Sequence, residues 1–272
     1  MALIQVNYLS CALMRTVTVN VVLPVDKVSH REHDYLPAPA RLKTLYLLHG
    51  MFGNCNDWLT GTSIQRLAEE RDLCVVMPSG DNSFYVQGPL PFNDYGAFVG
   101  EELPRVMRSM FPLSGRREDT FIAGLSMGGY GALRNGMRYA QTFGGIAAIS
   151  SALTVLDPAV PPIAGDKAVF GDLEVARGTD KNYEVAYESL RSRVEAGEEK
   201  MPRIYLGCGT EDPLIEGTCA LRARLEADGV EVAYSEEPGG HDWDLWESQI
   251  RKVVGWLPLG ESKAGLGSGS IA

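Results

Sequence analysis

Apolar and polar positions alternate at the start of the chain. Val17, Val19 and Val21 interleave with Thr16, Thr18 and Asn20, and residues 3–9 show the same period. Side chains on a strand point alternately to its two faces, so this predicts two half-buried antiparallel strands. A polar, proline-bearing loop follows over residues 30–40. Beyond it the pattern changes to short, wholly apolar runs at 44–48 (TLYLL), 73–77 (LCVVM), 120–123 (TFIA), 146–149, 204–206 and 230–234. Such runs are what strands buried on both faces show.

Between these runs the apolar residues recur at helical spacing. Thr62 and Gln65 read as a capping box opening a helix whose apolar side is Ile64, Leu67 and Ala68. Val99, Leu103, Val106, Met107 and Met110 predict a helix over 96–110, and Leu133 and Met137 one over 130–139. Trp246, Ile250, Val253, Val254 and Leu257 predict a closing helix. Short strands alternating with amphipathic helices make an α/β fold, a mainly parallel central sheet with an antiparallel edge and helices on both faces. Residues 1–259 read as one such domain. Two stretches depart from the alternation: 152–200, an insertion expected over the carboxyl edge of the sheet, and the Gly/Ser-rich tail 260–272, which reads as a flexible end.

Composition narrows the function. With 45% hydrophobic and 22% charged residues the 272-residue chain is ordinary globular protein. Asp+Glu 35 against Lys+Arg 25 gives a net charge of −10, which argues against nucleic acid or an anionic membrane as a partner. The excess is local: residues 211–247 hold eleven acids against Arg222 and Arg224, either a solvated face or a site rim that repels anions. Five cysteines without a CxxC pair suit reduced thiols of a cytoplasmic protein. The first fourteen residues do not read as a signal peptide, and no apolar run approaches membrane-spanning length.

Candidate chemistry centres on Gly124-Leu125-Ser126-Met127-Gly128, a G-x-S-x-G directly between a predicted strand and a predicted helix. In that context it is a nucleophile elbow, which lifts the serine into the crevice at the carboxyl end of the sheet. A serine hydroxyl needs a base. Of the four histidines (30, 33, 49, 241) only His241 follows Ser126, as the order nucleophile, acid, histidine requires. The acid then lies between them at a strand end. Asp212 fits, with Glu211 as its rival and Asp157 and Asp180 in the insertion as further candidates. Oxyanion donors are expected from the backbone N–H of Met127 and of Met51 in the loop His49-Gly50-Met51-Phe52-Gly53-Asn54, with His49 in a supporting role. Trp58, Tyr85 and Trp243 are candidate substrate-pocket residues, as are Phe84, Tyr95 and Trp246; Cys208 is an alternative thiol nucleophile. No metal-binding or cofactor motif is present: there is no HExxH, P-loop or strand-linked GxGxxG.

Together, HGMFGN, PSGDNSFY, GEELP, GLSMGGYGAL, CGTEDPL and GGHDWDLW resemble the esterase D family of α/β-hydrolases over most of the chain. The resemblance is greatest to the tributyrin-esterase branch, which acts on short-chain acyl esters. It implies an α/β-hydrolase fold, Ser126, Asp212 and His241 as catalytic residues, pockets formed partly by 152–200, and a homo-oligomer. The function expected is a serine carboxylesterase acting on acetyl to butyryl esters, with a small-molecule ester as partner and no cofactor. Feruloyl and acetylxylan esterases share the core, as do acyl-transferring mycolyltransferases. S-formylglutathione hydrolases carry S-G-L-T-C where this chain has His49 to Gly53. The remaining alternative is a non-catalytic binding module, which typically lacks a triad member; here all three are present.

Overall fold

A computed structural model describes residues 1–31, 33–162, 165–261 and 265. Eight strands form one sheet: β1 (Ala2–Ser10), β2 (Arg15–Leu23), β3 (Lys43–Leu48), β4 (Leu73–Pro78), β5 (Thr120–Leu125), β6 (Gly145–Ile149), β7 (Arg203–Gly209) and β8 (Val232–Glu237). Their order is β1-β2-β4-β3-β5-β6-β7-β8. β1 and β2 pair antiparallel and dock antiparallel on β4, whereas β4 to β8 are parallel. This is the mainly parallel sheet with an antiparallel edge that the alternation predicts.

The helices are α1 (Asp57–Gly61), α2 (Ile64–Glu70), α3 (Tyr95–Ala97), α4 (Leu103–Met110), α5 (Met127–Arg138), α6 (Asp166–Phe170), α7 (Leu173–Arg177), α8 (Tyr183–Glu195), α9 (Ile215–Ala227) and α10 (Trp243–Trp256). Strand alternation divides the apolar residues into two cores. Tyr46, Leu48, Val76, Ile122 and Ile146 pack with Leu103 and Met107 of α4, Tyr130 and Leu133 of α5, and Tyr187 and Leu190 of α8. Leu45, Leu47, Val75, Phe121 and Ala147 face the other way, against Ile64 and Leu67 of α2 and Ile250, Val253 and Val254 of α10. Parallel strands covered on both faces carry no polar alternation, which is why they read as continuous apolar runs.

Four local expectations are corrected. β2 is not half-buried: Asn20 is 3% exposed, because its amide bonds Cys55 O at 3.0 Å and Asn56 Oδ1 at 2.8 Å. The helix expected over 96–110 carries a π-helical turn, Phe98–Glu102, between α3 and α4. That turn presents the buried Glu102 to the β1–β2 turn, where it accepts the Ala12 amide at 2.8 Å. The last strand begins two residues later than expected. Val230 belongs instead to the close of α9, donating its amide to Leu225 O at 2.9 Å, the long hydrogen bond of a Schellman motif.

The Thr62/Gln65 capping box does not form. The N-cap of α2 is Ser63; Thr62 Oγ1 accepts the Ile64 amide at 3.2 Å instead of that of Gln65, and Glu247 of α10 takes the Ser63 amide at 2.9 Å and its hydroxyl at 2.7 Å.

Within 152–200, α8 lies along α5, with the Tyr130 hydroxyl on Lys181 O at 2.7 Å and Arg193 reaching Met137 O at 3.4 Å. Phe170 of α6 packs its ring on Phe84 and Tyr130. The tail expected from residue 260 falls, beyond 261 and apart from Gly265, outside the described residues. Among those described, no helix is long and apolar enough to cross a membrane.

The cross-helix cap gives a pH-dependent prediction. Burial works to raise the Glu247 carboxyl, but hydrogen bonds from Ser63 and the Arg251 guanidinium outweigh it and hold it below its usual range. A carboxyl lowered on folding stabilises above its unfolded value, and that contribution disappears as pH falls through the folded one. Glu247→Ala is expected to cost about 1 kcal/mol at pH 7, a Tm fall of about 2–4 °C. The gap to the parent should close as pH falls below about 4. Thermal melts of the two proteins from neutral to acid pH check both the sign and the window.

Candidate active site

Ser126 stands between β5 and α5 with φ 53° and ψ −117°, a region that residues with a side chain avoid. The backbone around it allows no relaxation. Its amide donates to Ile149 O at 2.9 Å, while its carbonyl accepts from Tyr130 N at 3.1 Å and Ala152 N at 3.2 Å. Strand β6 and the segment after it thus hold the serine on both sides. The flanking glycines are needed for space: a β-carbon on Gly124 would lie 2.3 Å from Gly128 O, and one on Gly128 would lie 2.4 Å from Leu48 O.

His241 and Asp212 come from the loops after β8 and β7, and these loops are joined by backbone bonds. Thr210 N donates to Glu237 O at 2.9 Å and Glu211 N to Gly239 O at 3.1 Å. The approach is so close that a β-carbon on Gly209 would lie 2.1 Å from Gly239 O. Asp242 then caps α10, accepting Leu245 N at 3.1 Å, which fixes the residue before it, His241.

These constraints bring the three sequence candidates together. His241 Nδ1 lies 2.9 Å from Asp212 Oδ2 and His241 Nε2 lies 3.1 Å from Ser126 Oγ. An ionised carboxylate only accepts, so Nδ1 carries the proton and the lone pair of Nε2 faces the serine hydroxyl. Asp212 is 1% exposed, and it also accepts Leu214 N at 2.9 Å on Oδ1 and a bond from the Ser150 hydroxyl. Burial works to raise its carboxyl, and these hydrogen bonds outweigh it, keeping the group ionised below its usual range. Glu211, the rival acid, is exposed, and Asp180 is engaged by Arg134 and Arg138.

Both expected oxyanion donors border the same serine. Met127 N is the first amide of α5, and helix geometry leaves it without an intrahelical acceptor. On the other side, a β-carbon on Gly50 would lie 3.5 Å from Ser126 Cβ, which sets Met51 against the elbow. His49 supports this loop from behind. Its Nε2 accepts Gly80 N at 2.8 Å, so Nδ1 holds the proton and donates to Gly50 O at 2.7 Å. Burial lowers its pKa and keeps the ring neutral.

The aromatic candidates divide. Trp58 is 1% exposed and donates its indole N–H to Leu48 O at 3.0 Å. Tyr85 is fully buried, with its hydroxyl on His49 O at 3.1 Å. Both brace the loop from the core side and do not line a pocket. Trp243 is half-buried, its ring edge-on to Trp58 and to Trp246. Cys208 is buried, and burial pushes its thiol up to about 11, which disfavours a thiolate. Of the acids in 211–247, Glu226, Asp228, Glu237 and Glu247 sit in ion pairs, while Glu211, Asp242 and Asp244 are exposed near His241.

Sequence reasoning missed a layer behind the three residues. Ser150, buried and with φ 47°, accepts the Trp246 indole N–H at 3.2 Å, and the Trp246 ring stands perpendicular to that of His241 at 5.0 Å. The strand-end position of Ser150, directly after β6, was the available signal. Another missed contact is Asn82 Oδ1, which accepts Phe52 N at 2.7 Å and holds the loop after β3.

Residues 10–257 match the family described as "Putative esterase". The chain is 40% identical over 266 residues to a protein named acetyl esterase from Caldicellulosiruptor saccharolyticus, covering 94% of this chain and 98% of that one. Two solved Staphylococcus aureus structures are also similar, each covering 94% of this chain and 98% of its own at 29% identity. One is the fluorophosphonate-binding serine hydrolase FphF, with a TM-score of 0.80. The other is the S-formylglutathione hydrolase FrmB, at 0.79. The strand order and these likenesses make the fold that of an α/β-hydrolase.

Crowding at the elbow predicts a difference between two glycines. Gly128→Ala must move backbone and is expected to cost about 1–3 kcal/mol, lowering Tm by several degrees. Gly255→Ala, at an exposed position of α10 with nothing within 4 Å of the added carbon, should leave Tm unchanged or raise it slightly. Parallel melts of the two variants make the comparison.

Proposed function

The chain belongs to this esterase family and is a carboxylic ester hydrolase, and on that premise we propose that it is a serine esterase cleaving short-chain acyl esters, acetyl to butyryl, through an acyl-enzyme on Ser126. The observation that carries the reading is His241, with one ring nitrogen 2.9 Å from a buried carboxylate and the other 3.1 Å from a strained serine hydroxyl. In this reading Ser126 Oγ attacks the ester carbonyl carbon while His241 Nε2 takes the hydroxyl proton. The carbonyl oxygen becomes an oxyanion facing the Met51 and Met127 amides, each such donor lowering the barrier by about 3 kcal/mol. As the C–O bond to the alcohol breaks, His241 returns the proton to the leaving oxygen. A water molecule, deprotonated by the same nitrogen, then attacks the acyl-enzyme; the acid departs and Ser126 regains its proton. Asp212 stays ionised throughout, holding the ring and stabilising the imidazolium.

The acetyl esterase relative supports an oxygen ester of short acyl length. The second reading, a thioester such as S-formylglutathione, is favoured by the 29% identity to the S. aureus hydrolase of that name. The five free cysteines suit a cytoplasmic location.

Ser126→Ala and His241→Ala are each expected to lower kcat by roughly 10⁶, and the double variant by little more, because the two act as a unit. Strictly additive losses would contradict that. A rate panel on p-nitrophenyl acetate, butyrate and octanoate, methyl ferulate and S-formylglutathione, with Ser126→Ala as blank, tests the substrate. Acetate or butyrate should lead. Dominance of S-formylglutathione would replace the oxygen-ester reading, and dominance of methyl ferulate or octanoate would remove the short-acyl limit.

A further inference from the structure

The two ends of the sheet differ sharply. β8 bounds one edge and carries acids: Glu231 precedes it and Glu236 and Glu237 lie within it. β1 bounds the other, with β2 on one side and no strand on its outer side among the described residues. A free strand edge presents unpaired N–H and C=O groups to any second strand, and proteins normally protect it with lysine, proline, a bulge or a very short strand. β1 has none of these. It is nine residues long and pairs with β2 in unbroken register from Ala2 to Ser10. In a chain of net charge −10, residues 1–14 contain no charged side chain.

The sequence of this edge is also self-complementary. Read from either end toward Val6, Ala-Leu-Ile-Gln on one side is matched by Ser-Leu-Tyr-Asn on the other. An antiparallel pairing of two β1 strands about a two-fold axis at Val6 sets Leu3 against Leu9, Ile4 against Tyr8 and Gln5 against Asn7. On one face that pairs two leucines that are 50% and 66% exposed, with the two amide side chains between them. On the other it pairs residues already half-buried against the core. From Leu3 to Leu9 every cross-strand pair is apolar with apolar or amide with amide, the end pair Ala2 and Ser10 sets a methyl against a hydroxyl, and no like charges meet. At β8 the same operation would bring acids together.

We propose that β1 is an interface for a second copy of this chain, paired antiparallel about Val6 so that two eight-stranded sheets run on as one. Two strands about 30 Å long with their flanking leucines cover on the order of 1,000 Å², the lower end of specific interfaces. The dimer therefore forms at micromolar concentrations and dissociates on dilution. It leaves the candidate active site untouched: β2, β4 and β3 separate β1 from β5, a distance of roughly 19 Å. The inference stands apart from the choice of substrate.

Sedimentation velocity from about 1 to 100 µM tests it, with the weight-average mass expected to rise from 29.6 kDa toward twice that value. The double variant Leu3→Lys/Leu9→Lys, at two exposed positions, should stay monomeric with esterase activity unchanged. In a background with the exposed Cys11 and Cys219 replaced by serine, Val6→Cys should cross-link to its own copy under mild oxidation. Leu9→Cys alone should not, whereas Leu3→Cys/Leu9→Cys should. A monomer at every concentration overturns the proposal. A dimer that survives the lysines, or one cross-linked by Leu9→Cys alone, places the contact elsewhere or in another register and overturns it equally.

Discussion

The architecture at the carboxyl edge depends on one strained residue and the backbone that holds it. Ser126 keeps φ 53° because its amide and carbonyl are both taken, by Ile149 on one side and by Tyr130 and Ala152 on the other. Neither group can turn without losing a buried hydrogen bond, and the side chain is left aimed away from the core. The glycines at 124 and 128 let β5, α5 and the end of β3 approach closely enough for this arrangement. The neighbour relation of β5 and β6 in the sheet is thus a requirement of the elbow itself.

The partners of the serine come from farther along the chain, and their position depends on how two loops are tied. Bonds from Thr210 and Glu211 to Glu237 and Gly239 make the turns after β7 and β8 one unit, and the Asp242 cap fixes where α10 begins. Behind them, Ser150 bonds the indole of Trp246 and the carboxylate of Asp212, while the Trp246 ring stands against His241. A single residue at the end of β6 therefore adjoins both the backbone of the proposed nucleophile and the groups that would activate it.

How much of this was legible in the sequence follows from how far each contact reaches along the chain. The buried strands were legible because burial on both faces leaves an unbroken apolar run. The proposed triad was legible because chain order leaves one histidine after Ser126. Contacts between distant segments leave no local trace. Nothing near Thr62 announces that Glu247 will take the Ser63 amide and hydroxyl, and the capping-box pattern there had the right threonine but the wrong amide, since Thr62 Oγ1 accepts from Ile64 and not from Gln65. Trp58 and Tyr85 looked like pocket residues by type alone. Their polar atoms find carbonyls of the β3 end, and that turned large aromatic side chains into supports for the loop. The π turn at Phe98–Glu102 was hidden for a similar reason: helical spacing continues through it, and the bond from Ala12 to Glu102 is made with a segment ninety residues away.

The bond between Glu247 and Ser63 also has a consequence during synthesis. Helix α2 leaves the ribosome well before α10; Thr62 Oγ1 can already accept its first amide, that of Ile64, at 3.2 Å, but the Ser63 amide and hydroxyl wait for Glu247. The same docking brings the Asp242 cap and fixes His241. The late-arriving helix thus completes the start of an early one and positions the proposed general base in a single event. A nascent chain that has already folded β1 to β7 would hold Ser126 in place without His241 beside it, so on the proposed chemistry the elbow stays silent until the sheet is complete.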